Sequence, residues 1–225
     1  MDTRKPPRIP LTTTDTTMVS ALFDIRKQFT FYGSYHTNPI NVAIHIICVP
    51  MILWSGLVMG THVFPTWLPD IHFAINKYLA FDLNFATIWA VVNLLYYYIL
   101  EPTAAFIYTP QMTLCFLSAM KFSERSDHMP IAFTVHVLCW IAQILGHVIA
   151  EKRAPALVDN ILGAAVLAPF FVHLEILYKL GYNPELHKII INDIGKEVTK
   201  LRKADGAKKR AASQTVADEH LSGKN

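Results

Sequence analysis

Long apolar runs separated by short polar breaks occupy most of the chain between positions 40 and 180. Several approach or exceed the roughly 20 residues needed to cross a bilayer. The first runs from about Ile40 to Gly60, and a loop with Pro65, Pro69 and an interfacial Trp67 follows it. The second runs from Leu79 or Asn84 to Leu100, where Tyr96, Tyr97 and Tyr98 mark an interface. Glu101-Pro102 turns the chain into a third run, about Thr103 to Met120, interrupted by Pro110. Lys121 to Asp127 is a charged loop. A fourth run, about Ile131 to Ala150, is closed by Glu151, Lys152, Arg153 and Pro155. Asp159-Asn160 can cap the last, about Ile161 to Leu180, which Pro169 kinks and where Glu175 and Lys179 can pair at i,i+4. The pattern predicts an all-α, polytopic membrane helix bundle with four to five apolar segments.

The flanks read differently. Met1 to Thr17 is rich in proline and threonine with little to bury, and is expected to be disordered. Val19 to Phe31 suits a short amphipathic helix on the membrane surface, its basic face toward lipid headgroups. From Asn192 onward the tail is charged and basic. Three regions follow: a polar N-terminal segment (1–30), a membrane-embedded domain (31–183) and a basic, partly disordered tail (184–225).

Composition supports this division. Of 225 residues, 52% are hydrophobic and 16% charged, against about a quarter charged in soluble domains. A net charge of +3 makes no case for nucleic acid, and the partner it leaves is the lipid bilayer. Cys48, Cys115 and Cys139 fall in three separate runs with no CxxC spacing, and read as small packing residues. No apolar signal segment precedes Phe31, so targeting is expected to use the internal runs. Arg4, Lys5, Arg8, Arg26 and Lys27 place the N-terminus in the cytoplasm. The first run then starts, and the fourth ends, on the cytoplasmic side. Five full crossings would put the basic tail on the far side, so the run broken by Pro169 or the one broken by Pro110 is expected to be re-entrant or interfacial.

Two stretches carry candidate chemistry. In Phe31 to Pro50, Asn38 can cap a helix with Pro39 at its first position. Asn41 and His45 then share a face, His36 stays just outside the cap, and Pro50 bends the helix past His45. In the fourth run, His136, Gln143, His147 and Glu151 form a polar stripe spaced by seven, four and four. Such a stripe is expensive against lipid and should face the bundle interior. Gly146 permits close approach of another helix.

The topology puts His147 and Glu151 at the membrane level of His36 and His45. Three imidazoles there make a metal site for iron, zinc or another first-row ion. Glu151 is a fourth ligand or an acceptor behind the ligands, and Asn38, Asn41 and Gln143 can orient the rings. His136 lies deeper and suits a structural or channel-lining role. His62, His72, His128, His187 and His220 are expected to be solvated, and His173 is an outside candidate. Lys152 reads as a positive-inside anchor, and Arg153 as either an anchor or a grip on a substrate carboxylate. A transporter or proton relay along the stripe, or a structural bundle glued by it, are the alternatives. A histidine-box hydroxylase would need HxxxH and HxxHH clusters, and neither is present.

The blocks FYGSYHTNPINVAIHIICVP and WIAQILGHVIAEKRAPALVDN, followed by LAPFF, resemble the DUF962 family, which includes a 2-hydroxy fatty acid dioxygenase. The matching residues include His36, Asn38-Pro39, Asn41 and His45 in the first block. In the second they include Gln143, Gly146-His147 and Glu151-Lys152-Arg153. His136 is outside the pattern. The resemblance covers about Phe23 to Asn183 and implies a multi-pass endoplasmic-reticulum membrane enzyme dependent on Fe(II), its site near the cytoplasmic face. It implies α-oxidation of a long-chain 2-hydroxy fatty acid by O2 to the acid one carbon shorter, in phytosphingosine catabolism. The expected assignments are His36, His45 and His147 on the metal, Asn38 and Asn41 behind them, and Gln143, Glu151 and Arg153 in catalysis.

Overall fold

Asp24 starts the first helix by accepting the Lys27 amide, and α1 spans Ile25–Tyr35. Asn38 starts the second, accepting from the Ile40 amide with Pro39 at the first helical position, where its missing N–H costs nothing. This helix, α2, spans Pro39–Gly60 and runs through Pro50. A small antiparallel hairpin follows, β1 His72–Ala74 and β2 Ala80–Asp82. A reciprocal Asn84–Thr87 capping box opens α3, Phe85–Leu100. Then come α4, Pro102–Ser123, and α5, His128–Leu145, which passes into a π-helical turn, Gly146–Glu151. Two helices complete the chain, α6 Ile161–Lys179 and α7 Pro184–Ser222. The computed structural model describes residues 21–63, 68–152 and 161–222. The first twenty residues, Pro65, Trp67, Arg153, Pro155, Asp159 and Asn160 lie outside them.

Helices α2 and α5 form the antiparallel pair at the centre. Contacts along their length hold one register: Asn41 to Glu151 at one end, Ser55 to His136 midway, and His62 to His128 at the other. Both helices, α5 taken with its π turn, are long and apolar enough to cross a membrane. The bent pair α6 and α7 would make a third span if counted as one. The bundle is all-α apart from the hairpin, as the apolar pattern predicts.

Several boundaries differ from that pattern. Leu79 to Leu83 belongs to the hairpin rather than to a span, so α3 begins at the Asn84 cap and has 16 residues. Pro110 and Pro169 interrupt neither α4 nor α6. An interior proline removes one hydrogen bond, and packing on both sides carries these helices past it. The chain bends instead by 116° between α6 and α7, where Gly181 and Asn183 adopt positive φ. The Glu175–Lys179 pair forms at 3.2 Å.

The described part of the basic end, Pro184–Ser222, is helix α7, whose first turns have a core to join. Ile190 is fully buried, Leu186 and Ile194 pack on the core, and Asp193 binds Arg26 at 2.6 Å. Gly33 of α1 makes this docking possible: a Cβ there would lie 2.3 Å from Ile194 Cδ1. For the same reason α1 does not simply lie on headgroups. Arg26 pairs with α7, while Phe29 is buried against Phe171 and Tyr178 of α6. Helices α1 and α7 therefore pack together on one side of the bundle.

Four of the histidines expected to be solvated have partners. The Nε2 atoms of His62 and His128 approach to 2.5 Å, His72 binds Asp82 at 2.5 Å, and His187 stacks on Tyr178. The Asp82 carboxylate raises the pKa of His72 above its ordinary value.

Candidate metal centre

Three imidazoles from three elements converge where α1, α2 and the end of α5 meet. The rings of His36, His45 and His147 lie 4.5, 4.8 and 5.0 Å apart between centroids, each nearly perpendicular to the others. One ring nitrogen from each falls within 4.8 Å of the other two. The local folding explains the aim of two rings. His36 Nδ1 donates to the Tyr32 carbonyl at 2.7 Å, and His45 Nδ1 donates to the Asn41 carbonyl at 2.9 Å. Both bonds reach back one helical turn, fix the tautomer and leave Nε2 as a lone pair. His147 is buried, and its Nδ1 has no hydrogen-bond partner among the described residues. Burial holds the His36 pKa well below its ordinary value, and nearby His45 pushes the same way against the Tyr32 carbonyl. A neutral ring is the form that ligates.

Glu151 fastens these elements together. Its carboxylate accepts from the Asn38 amide at 2.6 Å, the Thr37 hydroxyl at 2.9 Å and Asn41 Nδ2 at 3.3 Å. It therefore caps the N-terminus of α2, where unpaired amides and the helix dipole favour a negative charge. Asn38 Nδ2 adds a bond to the Ala150 carbonyl at 3.1 Å. In this arrangement Glu151 stands behind the histidines as an acceptor and is not among the converging ligand atoms. The wider π turn delivers this carboxylate, and such turns occur often at functional sites. Gly146 lets the turn approach: a Cβ there would lie 2.6 Å from Asn41 Oδ1.

From the trio a cavity of about 390 Å³ runs between α2, α3, α5 and α6. Its lining includes Val49, Leu53, Trp89 and Trp140 and contains no charged side chain among the described residues. Gln143 is buried on its wall with Nε2 unpartnered among the described residues. His136 faces the same cavity but is fully engaged. Trp140 donates to its Nε2 at 3.0 Å, so its Nδ1 donates to the Ser55 hydroxyl at 2.9 Å, which passes its own proton to Ile52. That chain interrupts the polar stripe, and His136 serves structure and lining only. His173 is buried beside Tyr108, away from the trio. Arg153 lies outside the described residues, and Lys152 is exposed at a left-handed turn. Tyr32 is among the residues that carry the resemblance, as Phe31-Tyr32, but has no role in the site as read from the sequence. It stacks on His36 at 4.0 Å and supplies the carbonyl that holds it, and the i,i+4 spacing of Tyr32 and His36 is the signal it offers.

Fold and site together define an all-α membrane bundle with a buried three-histidine centre at the head of an apolar cavity. The chain belongs to the Mpo1-like family: the family model described as 2-hydroxy-palmitic acid dioxygenase Mpo1-like matches residues 22–180. It is 34% identical over 178 residues to the 2-hydroxy-palmitic acid dioxygenase MPO1 of Saccharomyces cerevisiae, an alignment covering 79% of this chain and 93% of the yeast protein. No solved structure matches the chain.

Proposed function

We propose that this protein is an Fe(II)-dependent dioxygenase of the endoplasmic-reticulum membrane that shortens long-chain 2-hydroxy fatty acids by one carbon. The observation that carries the reading is the join of three converging imidazoles to a long cavity with no charged side chain among its described lining residues. Such a cavity suits an acyl chain, and nothing inside it other than a metal would meet a carboxylate's charge. The name of the yeast relative points to the same substrate class.

The donor set fits Fe(II). Three imidazole nitrogens leave coordination positions open, and the orphaned His147 Nδ1 is a buried group in need of a partner. Fe(II) bound there supplies the redox centre at which O2 and the hydroxy acid react. The reaction R–CH(OH)–COOH + O2 → R–COOH + CO2 + H2O balances without an external reductant. It breaks the bond between C1 and C2 of the acid, and the substrate provides all four electrons.

The protein positions the reactants. His36, His45 and His147 present lone pairs, with the first two held by backbone carbonyls. Glu151 keeps α2 registered against the π turn. Gln143 offers a buried amide donor to a substrate oxygen. Lys152, exposed just past the π turn, and Arg153, next in the sequence, are the cations offered to the carboxylate as it enters. The apolar walls exclude water. Supplying 2-hydroxyhexadecanoic acid labelled with ¹³C at C1 tests the bond that breaks: one ¹³CO2 should appear for each pentadecanoic acid. Accumulation of the labelled 2-oxo acid instead would replace this reading with a simple hydroxy-acid oxidase.

A further inference from the structure

We propose that Gly56 and Gly60 of α2 form the gauge by which this cavity measures acyl length. The inference rests on the reading of the site as one for 2-hydroxy fatty acids. Glycine inside a helix costs stability relative to alanine, so Gly56 needs a reason, and Gly60, one turn on, ends the helix at the same cavity. The common one, close contact between helices, accounts for Gly33 and Gly146 but not for these. A Cβ at Gly56 would meet nothing nearer than His136 Cε1 at 4.0 Å. One at Gly60 would meet Ala86 Cβ at 3.6 Å and Phe85 Cδ1 at 3.8 Å, both ordinary contacts. Each glycine lines the cavity. What their missing side chains provide is room inside it.

The lengths agree with that role. Gly56 and Gly60 lie eleven and fifteen residues past His45 on the same helix, about 16 and about 22 Å along its axis. An extended carbon chain advances about 1.25 Å per atom at the usual ~1.52 Å bond length and ~111° angle. The two levels therefore correspond to about 13 and about 18 carbons from the histidines. At the first, Gly56 faces His136, whose ring is fixed by Trp140 and Ser55 and cannot swing aside. At the second, Phe85, Ala86 and Trp89 bring the first turn of α3 to the end of the cavity. A sixteen-carbon tail passes the first level and stops short of the second.

The test uses detergent-purified full-length protein and saturated 2-hydroxy acids of 8 to 20 carbons. Gly56→Leu should lower kcat/KM for the sixteen-carbon acid relative to the ten-carbon acid by at least ~10-fold, the discrimination a pocket achieves for about one misplaced methylene. Gly60→Leu should act only on acids of about 18 carbons or more. Gly56→Ala, which its surroundings admit without a clash, should give a smaller shift in the same direction. It also guards against a leucine variant that fails to fold.

A second readout needs neither metal nor turnover. Displacement of a fluorescent fatty acid from metal-free protein by non-hydroxylated saturated acids should show the same change in length preference. A length shift in displacement, with no turnover of any acid by the wild type, would keep the gauge and reject the dioxygenase reading. Unchanged length profiles in the folded variants, in both assays, would overturn the gauge.

Discussion

Replacing His36, His45 or His147 by alanine is expected to abolish turnover and remove the bound metal, while the protein still inserts and folds. Each histidine comes from a different element, so none of the remaining pairs retains the three-nitrogen set. Loss of a group that merely orients a ligand commonly costs 10- to 100-fold in metal affinity or activity. Loss of a ligand itself should exceed about 100-fold. His136→Ala is the informative comparator. It removes an imidazole from the same cavity, but one whose two nitrogens are spent on Trp140 and Ser55. That variant should keep its metal and lose stability instead, by the ~1–3 kcal/mol expected for buried groups left unpaired. Metal analysis with a melting curve for each variant distinguishes the roles. Full metal content in any of the three ligand variants would remove that residue from the site.

Glu151→Ala should be the next most damaging change, although the side chain is not placed as a ligand. The substitution strands the Asn38 amide, the Thr37 hydroxyl and Asn41 Nδ2 together, and these are the contacts that hold the start of α2 to the π turn. Hydrogen bonds to a charged group contribute about 1.5–3 kcal/mol, and the expected loss of stability is of that order. Because His45 sits on α2 and His147 on the π turn, the same loosening should weaken metal binding by about 10- to 100-fold. Glu151→Gln retains one acceptor oxygen, so it should recover part of both losses. A titration of metal into the two variants reads this directly. Equal metal affinity in Glu151→Ala and wild type would show that the carboxylate does not register the two elements.

Much of the site was legible in the sequence because its signals are local. Asn38-Pro39 is a helix start by chemistry alone, and the structure uses it so. Gly146 beside His147 announced close packing, and the glycine meets Asn41. The meeting of His147 with His36 and His45 followed from counting crossings between charged ends. The role of Glu151 was left open between ligand and acceptor, because the choice depends on the π turn, which periodicity of 3.6 does not reveal. Asp193 read as part of a charged tail, since its partner Arg26 is 167 residues distant. The hairpin at His72 to Asp82 escaped notice because its strands are three residues each. Pro169 looked like the break in the last apolar run, but positive φ at Gly181 and Asn183 makes the turn.

Turnover should depend on an iron held by the three histidines. The most direct measurement loads detergent-purified protein with Fe(II) under anaerobic conditions, adds 2-hydroxyhexadecanoic acid, and then admits oxygen. Mass spectrometry counts pentadecanoic acid against bound iron. Product is expected only when iron and oxygen are both present, and none from the His147→Ala protein. Equal product from metal-free protein, or tightly bound iron with no fifteen-carbon acid, would contradict that expectation.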